Sequence, residues 1–192
     1  LISGPATNAL PMSPETYSVW PHWTPISWNS SQQPGSHSAG DPVLSADGRY
    51  VAYRSEATNL VLVGTNTFRK IYLLDRLTGS NTLVSRALGN AFVNTNCEPP
   101  AMSSDGRFIV FASRASNLLA SDTNTKMDVF LYDVSTGKLE LISKSTTGGF
   151  GNGDSQYPSV TADGRYVSFS SDASNLVASD KNARRDVFVR DR

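Results

Sequence analysis

The stretch "SADGRYVAY" at residues 45–53 returns as "SSDGRFIVF" at 103–111 and as "TADGRYVSF" at 161–169. Asp47, Asp105 and Asp163 therefore stand 58 residues apart, with nothing inserted or deleted between copies. Other marks keep the same step. Pro42, Pro100 and Pro158 precede the three copies, Asn59-Leu60 recurs as Asn117-Leu118 and Asn175-Leu176, and Asp75, Asp133 and Asp191 close "KIYLLD", "DVFLYD" and "DVFVRD". A fixed period of tens of residues marks a repeat architecture, in which each unit buries its faces against its neighbours.

Each unit reads as strands joined by turns. "PVLS" runs into Asp47-Gly48, a tight-turn dipeptide, because glycine accepts positive φ and aspartate bonds its own backbone. "RYVAYRS" then places Tyr50 and Ala52 on one face and Val51 and Tyr53 on the other, the pattern of a strand covered on both sides. After a loop over roughly 56–69 come a third strand, "KIYLLD", a Thr78-Gly79 turn and a fourth strand around "TLVS". The second copy repeats this order with "PAMS", "RFIVFAS", "DVFLYD", Thr136-Gly137 and "LELIS". No stretch carries a 3.6-residue apolar rhythm over three turns, which disfavours βαβ units and helical solenoids.

Residues 42–192, and more weakly the chain from about residue 25, resemble the TolB-type (WD40-like) β-propeller repeat of bacterial envelope and secreted proteins. The resemblance implies an all-β fold of propeller blades, each a four-stranded antiparallel meander on the 58-residue period. It is specific for fold and leaves function open, since propellers host many unrelated activities. The expected organisation is a Pro-rich, aromatic segment at 1–41 carrying the tail of a preceding blade, blades at 42–99 and 100–157, and three strands of another at 158–192. "PIS" at 25–27 lies one period before "LVS" at 83–85 and reads as an orphan fourth strand, with "TYSVW" at 16–20 as a degenerate third. Propellers close with about 4–8 blades, so the ring is incomplete in this chain. The chain is expected to be a piece of a longer propeller, or a subunit that self-associates through open blade edges.

The 192 residues carry 17 basic and 17 acidic side chains, and no basic stripe suits nucleic acid. No run approaches the roughly 20 apolar residues of a membrane helix. Cys97 is the only cysteine, so no internal disulfide forms, and it reads as a small packed residue. One cysteine and a surface rich in Ser, Thr and Asn suit an exported bacterial protein, periplasmic, cell-surface or extracellular.

The loop between second and third strands is the most chemical feature. Asp122, Asn124 and Asp128 in the second copy, and Asp180, Asn182 and Asp186 in the third, could converge oxygen ligands on calcium. The plainer reading is a set of Asx turns that bond loop backbone. The first copy has Gly64, Asn66 and Lys70 instead, and the ammonium of Lys70 excludes a cation there. Arg49, Arg107 and Arg165, like the aspartates that close each third strand, read as architecture: a turn plus a guanidinium bonded to a carboxylate or carbonyl. Trp20, His22, Trp23 and Trp28 crowd a Pro-rich segment, as a partner-binding patch or as rings buried on the first blade.

No Gly-x-Ser-x-Gly elbow, zinc-type cluster or phosphate-binding glycine loop is present, and "TTGGFGNGD" at 146–154 reads as a connector. Both histidines, His22 and His37, lie in the irregular first forty residues. The leading expectation is a non-catalytic module that binds a protein or polysaccharide partner or serves as a scaffold. The alternative is a propeller hydrolase or lyase working in the central channel, to which first strands would contribute Ser45, Ser103 and Thr161.

Overall fold

The computed structural model describes residues 24–61, 65–120 and 122–192. The first antiparallel sheet runs β1 (Ala39–Leu44), β2 (Tyr50–Ser55), β3 (Lys70–Asp75) and β4 (Ser80–Leu83) in spatial order. The second repeats it with β5 (Ala101–Met102), β6 (Phe108–Ser113), β7 (Asp128–Asp133) and β8 (Lys138–Leu141). The third holds β9 (Ser155–Val160), β10 (Tyr166–Ser171) and β11 (Asp186–Asp191). These are propeller blades, and the three do not close a ring. Among the described residues the only helical piece is a 3₁₀ turn at Leu88–Asn90, and no helix is long and apolar enough to cross a membrane.

The repeat survives to the level of single pairs. Tyr53 opposes Tyr72, Phe111 opposes Phe130 and Phe169 opposes Phe188, with ring centroids 5.8, 5.7 and 5.9 Å apart. Such cross-strand aromatic pairs hold register, because a slip of one residue would send every ring to the other face.

The alternation within β2, β6 and β10 decides how sheets stack. Ala52, Ile71, Leu73 and Val84 of the first sheet are buried against Ile109, Phe111 and Phe130 of the second. One period on, Val110, Val129, Leu131 and Ile142 are buried against Val167 and Phe169 of the third. Each valine, leucine, isoleucine or phenylalanine among them contributes about 1.5–3 kcal/mol when removed from water, so the seams between sheets carry much of the stability. The remaining face of the first sheet, with Val51, Tyr53, Tyr72 and Leu74, is buried together with Ile26 and Phe92.

Residues 25–27 differ from the expected strand: they form a bend, followed by an isolated Trp28–Pro34 bridge. They still follow the repeat. The Gly35 N–H donates to Ser27 O at 2.8 Å, and Lys144 bridges Phe150 one double period later. Ile26 therefore stands where Val84 and Ile142 stand, at the point where a fourth strand hands over to the connection between sheets. The "TYSVW" segment lies outside the described residues.

Candidate functional site

The Asp-Gly-Arg turns are built alike in all three copies. Gly48, Gly106 and Gly164 sit at φ 68, 76 and 69°, a region open to glycine and strained for other residues. Ser45 Oγ donates to Asp47 Oδ1 at 2.6 Å and accepts the Tyr50 N–H at 2.9 Å. Ser103 with Asp105, and Thr161 with Asp163, repeat the arrangement. These hydroxyls, on which the channel-enzyme alternative would draw, close turns.

The arginines that follow are equally occupied. Arg49 grips Asp75 with Nε at 3.0 Å and Nη2 at 2.7 Å, a bidentate pair repeated by Arg107–Asp133 and Arg165–Asp191. Each guanidinium also lies over the next aromatic ring, 4.7–4.8 Å from its centroid. The arginine hydrogen bonds hold Asp75 and Asp133 below the usual carboxylate range, with Ser135 adding donors to Asp133. This ties the start of each second strand to the end of each third.

In the loops before β7 and β11, Asn124 and Asn182 are the organisers. Asn124 Nδ2 donates to Asp128 Oδ2 at 2.8 Å and to Gly151 O at 2.9 Å, while its Oδ1 accepts the Lys126 N–H at 2.8 Å. Asn182 Nδ2 donates to Asp186 Oδ2 at 2.8 Å, and its Oδ1 accepts the Arg184 N–H. The Asn124 N–H leans toward Asp122 at 3.4 Å, and the Asn182 N–H toward Asp180 at the same distance. Each asparagine thus turns its amide nitrogen, not its oxygen, to the nearby aspartate. Asp122, Asn124 and Asp128 thus make one hydrogen-bonded loop. Among the described residues no three His, Cys, Asp or Glu groups stand ready to hold a metal.

Asp128 is fully buried and also accepts a hydrogen bond from Ser143 Oγ at 2.8 Å. Burial pushes its carboxyl up to about 6, against the opposing pull of the Asn124 and Ser143 bonds. Burial also raises Asp122. In the first copy Lys70 takes the place of Asp128 and is likewise fully buried. Its Nζ donates to Asn66 O at 2.8 Å and Phe68 O at 2.7 Å and lies 4.7 Å from the Phe92 ring centroid. Burial draws its ammonium down to about 8. One position thus accepts either charge sign, because the loop supplies donors in one copy and carbonyls in the other. Gly64 lies outside the described residues.

The repeated Asn-Leu pair has a job that the sequence only hinted at. Asn59, Asn117 and Asn175 each accept a backbone N–H from the connection between sheets (Ser36, Asn94 and Asn152) at 2.9–3.1 Å. Their amide nitrogens return a bond to the carbonyls of Pro34, Phe92 and Phe150. The signal was the period itself, since a side chain that clamps every connection must recur in every copy. Cys97 is buried, and burial raises its thiol to about 11.

Of the aromatic cluster, only Trp28 falls in the described residues, and Trp20, His22 and Trp23 lie outside them. Trp28 is partly exposed, its carbonyl accepts Asn81 Nδ2 at 2.7 Å, and it borders a shallow depression with Ile26, Leu74 and Arg76.

Among the described residues no sheet follows the third to cover its outer face. Val187 is 77% exposed and Val189 66% exposed. Their counterparts in the second sheet, Val129 and Leu131, are 0% and 1% exposed. Tyr166 is also exposed, whereas the rings in its place, Tyr50 and Phe108, lie against Gly106 and Gly164 of the following sheet.

No family model and no curated protein matches this chain. Solved structures do. The putative TolB from Agrobacterium tumefaciens is 22% identical with a TM-score of 0.46, the match covering 77% of this chain and 43% of that one. The β-propeller domain of the Trilobed protease from Pyrococcus furiosus is 16% identical with a TM-score of 0.45, covering 81% of this chain and 43% of that one. The tricorn protease is 17% identical with a TM-score of 0.46, covering 71% of this chain and 11% of that one. This chain therefore spans from about a tenth to under half the length of these matches. The blade architecture rests on the sheets described above, not on these likenesses.

Proposed function

We propose that the chain is a non-catalytic β-propeller scaffold module of an exported protein, which binds a protein partner through its aromatic segment at Trp20, His22, Trp23 and Trp28. The observation that carries this reading is that polar side chains repeated in the copies are engaged within the sheets, Ser45 with Asp47, Arg49 with Asp75 and Asn59 with Ser36, which leaves recognition to the segment that departs from the repeat.

The test is chemical cross-linking of the 192-residue chain in an extract of the organism that makes it, compared with the variant Trp20→Ala, Trp23→Ala, Trp28→Ala. The reading expects defined protein adducts with the unchanged chain and their loss with the variant. Circular dichroism confirms that the variant keeps its sheets. Adducts that persist in the variant overturn the reading.

A further inference from the structure

Tyr157, in β9, stands at φ 58° with its side chain 74% exposed. A bulky residue is strained in that left-handed region, and a ring left in water gains little burial to offset the strain. The conformation itself belongs to the repeat. Asp41, two periods earlier, has φ 53°. Both residues stand at a β-bulge: the register of β1 against β2 shifts between Gly40 and Val43, and that of β10 against β9 between Ser168 and Ser170. Aspartate tolerates the left-handed region, and Asp41 turns its carboxylate to accept Arg54 Nε–H at 2.7 Å. The second copy has Pro99, whose ring forbids positive φ, and there β5 begins only at Ala101.

The third copy keeps the bulge and changes what it displays. Ser170 stands where the first copy has Arg54, and the Tyr157 hydroxyl has no hydrogen-bond partner among the described residues. A bulge re-aims a side chain, and here it carries an unpaired aromatic ring in place of an ion pair. Tyr157 lies within electrostatic reach of Arg185, whose guanidinium is fixed from two sides. Asp172 accepts Arg185 Nε–H at 3.0 Å and Nη2–H at 2.6 Å. Gln156 Oε1, with its amide turned to match, accepts Nη1–H at 3.0 Å and Nη2–H at 2.9 Å. A guanidinium has five N–H donors, so one on Nη1 is left over, and each Asp172 oxygen keeps a second lone pair. The charges around the ring cancel, Arg185 with Asp172 and Arg114 with Asp154.

This end of the sheets is open even where another sheet follows. Asp41 and Pro99 are exposed although the second and third sheets stand beside them, and so is Arg69, the counterpart of Arg185 in the first copy. The exposure of Tyr157 therefore comes from its place on the strand.

We propose that Tyr157, Asp172 and Arg185 form a binding site for the sugar rings of an uncharged polysaccharide. The tyrosine ring offers a flat apolar surface to the C–H face of a pyranose. Asp172, held ionised by the Arg185 hydrogen bonds, accepts from the sugar hydroxyls, and the remaining Nη1–H donates to one. An apolar face with a few rigidly placed polar groups fixes the orientation of a small ligand, and the balanced charges leave no preference for an acidic or basic one. The site is separate from the aromatic segment that takes the protein partner.

Native electrophoresis of the 192-residue chain through gels carrying hydroxyethylcellulose, laminarin or galactomannan tests it, with polygalacturonate as the charged comparison. Retardation is expected in at least one neutral gel. Tyr157→Asn should weaken it at least tenfold, and Tyr157→Phe should keep it. Asparagine suits the left-handed region, so Tyr157→Asn should also raise the melting temperature, by about 2–4 °C, and lost binding is then not lost folding. A chain that no neutral polysaccharide retards, or that polygalacturonate alone retards, overturns the proposal. So does retardation that Tyr157→Asn leaves unchanged, or a Tyr157→Asn variant that melts lower than the unchanged chain. Loss of the cross-linked protein adducts on Tyr157→Asn would assign the ring to a protein and overturn the saccharide site.

Discussion

The ring of Phe108 covers Gly164 of the next sheet so closely that a Cβ on that glycine would stand 2.3 Å from Phe108 Cδ2. Tyr50 covers Gly106 in the same way, at 2.4 Å. The Asp-Gly turn of one sheet is thus a socket for the aromatic ring of the sheet before it. Glycine is required there twice, for its positive φ and for the missing side chain.

Gly48 separates these two demands. It shares the conformation, at φ 68°, yet the nearest atom to a built Cβ is Arg76 Nη1 at 3.6 Å. Gly48→Ala should cost about 1–2 kcal/mol, the strain of a left-handed residue. Gly164→Ala should cost that and about 1–3 kcal/mol more, from overpacking against Phe108. Urea denaturation of both variants gives the difference, and equal losses would contradict the socket.

The three arginine–aspartate pairs grade by exposure. Asp133 is 13% exposed at its side chain, and Asp191 is 53% exposed. Asp133→Ala should lower the melting temperature more than Asp191→Ala, because a bidentate pair shielded from water loses less to screening. The Arg107 hydrogen bonds depress the Asp133 carboxyl, so its stabilisation is present above its unfolded pKa, near 4, and is lost as pH falls below it. The gap between the two variants in thermal melts should therefore narrow from pH 7 to pH 3.

Asp128 should act in the opposite direction. Its pKa rises on folding from 3.8 to about 6, so the folded state holds that proton more tightly. Its contribution is full below pH 4 and fades as pH climbs through 6, by on the order of 3 kcal/mol. Denaturation of the unchanged chain and of Asp128→Asn between pH 4 and pH 7.5 isolates the term. The unchanged chain should lose ground to the variant as pH rises.

Asn117→Ala should cost about 1–3 kcal/mol, by orphaning the Asn94 N–H and the Phe92 carbonyl that its amide bridges at 3.1 and 3.0 Å. Hydrogen exchange should show the faster opening confined to the connection at 86–96. Uniform acceleration across β6 and β7 would assign Asn117 to the core instead.

The period of 58 residues, the strand order and the two-sided burial of each second strand could be read from residues alone, because local propensity, turn chemistry and alternation all agree at Asp47-Gly48, Tyr50 and Tyr53. The pairing of Arg49 with Asp75 was legible as a guanidinium needing a carboxylate, though its partner was not named. What side chains do across space was not legible. Asp122, Asn124 and Asp128 have the spacing of oxygen ligands, and only their orientation shows that Asn124 presents nitrogen to Asp128. Lys70 reads in the sequence as an ammonium that excludes a cation, and only folding shows the loop carbonyls of Asn66 and Phe68 that hold it. Periodicity and turns are encoded between near neighbours in the chain, whereas burial and amide orientation depend on groups that only folding brings together.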